Sequence, residues 1–127
     1  MSKQVISTPE APSSPLFSQG VRVGSTIYVS GMTGMNVTTM QLVGPSIGEQ
    51  TRQALHSCEA VVKAGGGTLD DVIQVTVLLA NPADFAGMND EYATVFTTAP
   101  PTRAVAKLGV EIPNVLVSIT MTAQVDS

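Results

Sequence analysis

The sequence predicts an α+β domain in which two helices lie on one face of a mixed β-sheet. Three observations carry the prediction. A helix is opened by Ser46 and Glu49 and closed by the glycines at 65–67. A second is opened by Asn81 and Pro82. β-branched segments lie before, between and after them. At 127 residues, 43% apolar and 13% charged, the chain is expected to be one globular domain spanning 1–127.

The elements follow in order. Residues 2–8 alternate and suggest a first strand, and 11–20 (APSSPLFSQG) read as a loop from their prolines and serines. VRVGSTIYVSG then gives two short strands about a Gly24-Ser25 turn, and the stretch after it is irregular. Ser46 and Glu49 form an S-x-x-E capping box, in which each side chain satisfies the other residue's free N–H. Ala54, Leu55, Cys58, Val61 and Val62 share one face of that helix, with Gln50, Gln53, Glu59 and Lys63 off it. Glycine at 65–67 tolerates the left-handed cap that ends it.

A strand at 71–80 (DVIQVTVLLA) is apolar almost throughout. Asn81 caps the next helix, Pro82 takes its first position and Asp84 favours its N-terminal dipole. Phe85, Met88, Tyr92, Val95 and Phe96 form its inner stripe, and strands near 103–110 and 115–124 complete the sheet. Two helices cover only one sheet face, yet strand 72–80 carries Val75, Val77 and Leu79 on one side and Leu78 beside Gln74 and Thr76 on the other. A strand buried on both faces needs a second cover. Self-association is the expected one.

Composition excludes several functions. A net charge of −4, no Trp and no basic run leave no footprint for nucleic acid. The N-terminus lacks a signal-peptide core, no apolar run approaches membrane length, and one cysteine precludes an internal disulfide framework. These features point to the cytoplasm.

His56 and Cys58 are the only imidazole and the only thiol, and two residues apart on a helix they diverge. No metal-ligand set converges. Cys58 falls on the apolar stripe and reads as core, while His56 faces solvent. No serine carries a nucleophile-elbow pattern, and no phosphate-binding glycine motif occurs, so nucleotide binding finds no support. Arg103 stands out. Prolines 100 and 101 stiffen its approach, its neighbours are small and apolar, and local carboxylates are scarce. A guanidinium so placed is a five-donor fork for the carboxylate of a small ligand. In the last strand Val117, Ile119 and Met121 alternate with Ser118, Thr120 and Thr122. Spacing admits both an ordinary wet face and a row of hydroxyls lining a polar crevice near Arg103.

SKQVISTPEAPSSPLFSQGVRVGSTIYVSG, MNDEYATVF and PPTRAVAKLGVEIPNVLVSIT, in that order over nearly the whole chain, resemble the reactive intermediate deaminases, the Rid or YjgF-like proteins. The resemblance implies a chorismate-mutase-like fold assembled as a homotrimer with three clefts between subunits. It implies hydrolysis of enamines and imines such as 2-aminoacrylate and 2-iminopropanoate to 2-keto acids and ammonia, without a cofactor. Arg103 then binds the substrate carboxylate, and Phe17, Ser30, Gly31, Met32, Asn89, Val105 and Thr120 line the cleft. Two departures matter. Phe17 stands where the family usually carries tyrosine, and Ser118 where it carries the glutamate credited with positioning water. Met32, where many relatives have glutamine, implies a more apolar pocket. Serine orients a water but is no base near neutral pH, so Ser118 is a catalytic candidate with a weakened role. The alternative is a Rid-fold binder of a small carboxylate. The ribonuclease activity attached to some relatives finds no support in an acidic chain with one histidine.

Overall fold

The computed structural model describes residues 2–126. The elements are β1 (Gln4–Ile6), β2 (Gly20–Val23), β3 (Thr26–Met32), α1 (Ile47–Ala64), β4 (Val72–Leu79), α2 (Phe85–Val95), β5 (Thr102–Lys107) and β6 (Val117–Gln124). They form one six-stranded sheet in the order β1-β2-β3-β6-β4-β5. Every neighbouring pair is antiparallel except β4 and β5, which run parallel. A parallel pair cannot be joined by a hairpin and needs a crossover. Here α2 is that crossover, and it brings α2 to the β5 margin of the sheet.

The core lies between the helices and one face of the sheet. Ala54, Leu55, Cys58, Val61 and Val62 of α1 meet Val75, Val77 and Leu79 of β4 and Val117, Ile119 and Met121 of β6. Each large side chain fully buried there contributes about 1.5–3 kcal/mol relative to exposure. The fit is tight: a Cβ on Gly34 would fall 2.6 Å from the Gln50 backbone. The β2–β3 turn rests on Gly24, whose φ of +58° is left-handed. No helix covers the opposite sheet face, where Tyr28 and Ile73 are exposed and Gln74, Thr76, Leu78, Ser118, Thr120 and Thr122 are half-buried.

Several expectations are corrected. The strand expected over 2–8 is only Gln4–Ile6, because the Thr8 N–H leaves the ladder for Gln19 Oε1 at 2.7 Å. β5 stops at Lys107, short of 110, and β6 begins at Val117 because a turn closes between Val115 N and Ile112 O at 3.1 Å. Asn81 caps a 3-10 turn at Pro82–Asp84 and not α2 itself. Only half of the α1 capping box forms: Ser46 Oγ accepts from the Glu49 N–H at 3.1 Å, while the Glu49 carboxylate takes the Ser46 hydroxyl at 2.8 Å.

Gln50, expected off the buried face, is fully buried. Its Nε2 donates to the carbonyls of Gly44 and Asn114, both at 3.0 Å, and its Oε1 accepts from Leu116 N–H at 2.9 Å. One amide thereby ties the loop before α1 to the loop before β6. Phe85, expected on the inner stripe of α2, is 45% exposed.

Candidate functional site

Arg103 sits on β5, an edge strand, in parallel register with Val75. Val75 is buried beneath the helices, and residues opposite one another share a sheet face, so Arg103 projects to the helix side. There it meets α2. Phe85, Asn89 and Tyr92 are spaced i, i+4 and i+7 and fall on one side of that helix. Asn89 Oδ1 accepts from Arg103 Nη1 at 2.7 Å. Arg103 Cζ lies 4.8 Å from the Tyr92 ring centroid and 5.9 Å from that of Phe85. Both distances fall in the cation–π range.

The three arginines keep different company. Arg52 pairs with Glu91 at 2.6 Å, and Arg22 donates to the carbonyls of Gly24 and Gly65 at 2.9 and 2.8 Å. Among the described residues no carboxylate pairs with Arg103. It spends one of its five N–H donors on Asn89, and the other four remain for a ligand. Burial pushes the Tyr92 phenol above its ordinary pKa, and the Arg103 charge opposes that shift. Among the described residues the buried Tyr92 hydroxyl has no hydrogen-bond partner.

A second group gathers on the other side of the sheet. Ser118 registers with Leu78, and Thr120 with Thr76, on the face away from the helices. Thr120 Oγ1 donates to the Val29 carbonyl. Gly31 lies directly against Ser118, since a Cβ there would fall 3.0 Å from Ser118 Oγ. Pairing of β3 with β6 is irregular between Val29 and Met32, and this displaces Ser30 and Gly31 from the plain alternation. Ser30 N–H donates to Gln19 O at 2.9 Å, and Ser30 Oγ donates to Ser18 O. That fixes the loop carrying Phe17, which is 45% exposed. Gln19 secures the loop from beneath: its amide nitrogen lies 2.7–3.0 Å from the carbonyls of Thr8, Ala11 and Pro12.

The sequence candidates therefore fall into two groups. Arg103, Asn89 and Val105 are together at the β5 margin, where Val105 also lines an apolar cleft of about 420 Å³ with Leu79, Pro82 and Phe85. Phe17, Ser30, Gly31, Ser118 and Thr120 gather around the open face. Within one chain the hydroxyl row does not adjoin Arg103, because β4 separates the strands and the side chains leave opposite faces. Met32 is corrected. It is 2% exposed, pairs with Ile119 and belongs to the core, so it lines no open cleft in a single chain.

The remaining reactive groups are placed as expected. Cys58 is fully buried, its thiol donates to the Ile119 carbonyl at 3.4 Å, and burial raises its pKa far above the ordinary value. His56 is exposed on α1 between Glu10, Asn36 and Gln53. Among the described residues no cluster of His, Cys, Asp and Glu could hold a metal ion, and no helix is long and apolar enough to cross a membrane. The sequence reading missed the aromatic surroundings of Arg103. The signal was present in the i, i+4, i+7 spacing of Phe85, Asn89 and Tyr92, which also suits a core stripe.

Comparison with known proteins bears on the family and the fold. A family model described as endoribonuclease L-PSP matches residues 8–125. A RutC family protein of Saccharolobus solfataricus is 38% identical over 96% of this chain and 98% of its own. A 2-iminobutanoate/2-iminopropanoate deaminase of Dermatophagoides farinae is 40% identical over 80% of each chain. Among solved structures, a Rid family protein of unknown function from Yersinia pestis superposes with a TM-score of 0.92 at 32% identity, covering 98% of this chain and 100% of that one. TdcF of E. coli with bound serine gives 0.90 at 28% identity over 97% and 99%.

Proposed function

Because this chain belongs to the endoribonuclease L-PSP family, the YjgF/Rid proteins, we propose that it hydrolyses imines of small 2-amino acids to 2-keto acids and ammonia. The observation that carries the reading is Arg103: hydrogen-bonded to Asn89, in contact with the Tyr92 ring, unpaired with any carboxylate among the described residues, and holding spare donors. Deaminase-named relatives at about 40% identity and the serine seated in a relative support a ligand with a carboxylate.

In this reading Arg103 clamps the carboxylate and fixes the adjacent imine carbon. Water adds to that carbon while the imine nitrogen, itself basic, takes a proton. The resulting carbinolamine expels ammonia and leaves the 2-keto acid. Ser118 or Thr120 and backbone groups orient the water. No cofactor enters the balance.

The two groups leave opposite faces of the sheet, which supports a site shared between copies of the chain, and the assembly we propose is a homotrimer. A cleft between subunits would bring one chain's Arg103 against its neighbour's Phe17, Ser30, Gly31 and Ser118, and would cover the open face. The working enzyme is then the assembly, in the cytoplasm. An acidic chain with a single imidazole, His56, and no basic run offers no surface for an RNA backbone.

A second reading is favoured by one residue. Ser118 supplies no base near neutral pH, and the same clefts without turnover would make a receptor for small carboxylates. Turnover decides between them. An amino-acid oxidase would generate imines in situ, and trapping would report the unhydrolysed fraction, for wild type and Arg103→Ala together. Accelerated hydrolysis by wild type alone supports the deaminase. Carboxylate binding without acceleration supports the receptor.

A further inference from the structure

We infer that the ring of Tyr92, and not its hydroxyl, is the positioning element that aims the Arg103 guanidinium. The inference rests on the proposed role of Arg103 as the carboxylate clamp, but its test does not depend on turnover. An arginine on an exposed edge strand loses much of its usefulness as a fork if its side chain samples many rotamers, and ordering it costs entropy. Here two contacts from one helix restrain it. Asn89 holds the Nη1 edge at 2.7 Å, and the Tyr92 ring lies against the guanidinium at 4.8 Å. Phe85 is a weaker second wall at 5.9 Å, close to the limit for such contacts.

The hydroxyl has no comparable role. It is buried and makes no hydrogen bond among the described residues, so what Tyr92 offers the arginine is its ring face. The ring itself is anchored: Tyr92 is 7% exposed and packs on Phe96 with centroids 4.9 Å apart. A fixed platform is what a positioning residue requires. It touches the arginine, not the reacting atoms.

The test uses the full chain and four variants: Arg103→Ala, Tyr92→Phe, Tyr92→Leu and Phe85→Leu. The first readout is the side-chain Nε–H NMR resonance of Arg103, assigned by its loss in Arg103→Ala. A guanidinium stacked on a ring carries a ring-current shift. That shift should persist in Tyr92→Phe, vanish in Tyr92→Leu and change slightly in Phe85→Leu. The second readout is binding of pyruvate, the keto acid formed from 2-iminopropanoate, with imine turnover alongside. Tyr92→Leu should weaken pyruvate binding and raise KM about two- to fivefold with kcat nearly unchanged, as a lost cation–π contact predicts. Tyr92→Phe should match wild type.

Should Tyr92→Leu fail to fold, Tyr92→Phe and the exposed Phe85→Leu keep the question open to refutation. A Tyr92→Phe variant that loses the shift or the affinity overturns the inference by making the hydroxyl essential. So does a folded Tyr92→Leu that keeps both. If wild type turns over no imine, the deaminase reading fails while the resonance still decides whether Tyr92 aims Arg103.

Discussion

Replacing Arg103 with lysine keeps the positive charge and removes the fork, and the size of the effect can be worked from the site. In wild type one N–H is committed to Asn89 and four are free, enough for two parallel bonds to a carboxylate. Lysine presents a compact ammonium that engages one oxygen well and the second poorly. Losing one charge-assisted hydrogen bond costs about 1.5–3 kcal/mol. That corresponds to a roughly 10- to 150-fold fall in kcat/KM. Arg103→Ala, which loses both arms and the charge, should fall further. Stability should hardly change, since Arg103 is exposed and pairs with no carboxylate among the described residues. The assay is imine hydrolysis in the oxidase-coupled system, with a urea melt on the same samples. An Arg103→Lys enzyme within threefold of wild type, with an unchanged melt, would refute the bidentate clamp.

Three further outcomes are expected. Ser118→Glu places a carboxylate on the open face beside Gly31, and if general acid–base work is what the family glutamate supplies, imine turnover should rise by about 10²–10⁴; no gain would mean a cleft shaped for other chemistry. Gln50→Leu strands the Leu116 N–H and two loop carbonyls, so urea denaturation should show a loss of about 1–3 kcal/mol for each group that finds no water. Tyr92 has a folded-state pKa raised by burial, so above about pH 10 the unfolded chain gives up this proton more readily than the folded one. Stability should therefore fall as pH rises through that range, and urea midpoints at pH 8 and pH 11 should converge in Tyr92→Phe relative to wild type.

The fold was legible where local rules and tertiary packing agree. The Gly24 turn, the stripe of α1 and the alternation of β6 are each set by residues close in sequence, and all three form as read. Gln50 shows the opposite case. Polar residues are ordinarily excluded from a core, and nothing local reveals that two loops arrive to satisfy its amide. The candidate site divides in the same way. Arg103 was conspicuous because its chain neighbours are apolar, and Asn89 followed from a motif. Phe85 and Tyr92 were read as core because a helical stripe serves packing and arginine-stacking equally well. The separation of Ser118 and Thr120 from Arg103 depends on β4 lying between β5 and β6, a strand order that no local pattern encodes.

The burial of Cys58 has a practical consequence. A lone thiol that is fully enclosed, bonded to a backbone carbonyl and held protonated cannot meet a reagent while the core is closed. Its labelling then requires the helix layer to lift from β6, and the labelling rate under native conditions reports how often that happens. The molecule thus carries its own clock for core opening. A cysteine introduced anywhere on the surface would react first, so a single dye could be attached there without removing the native one.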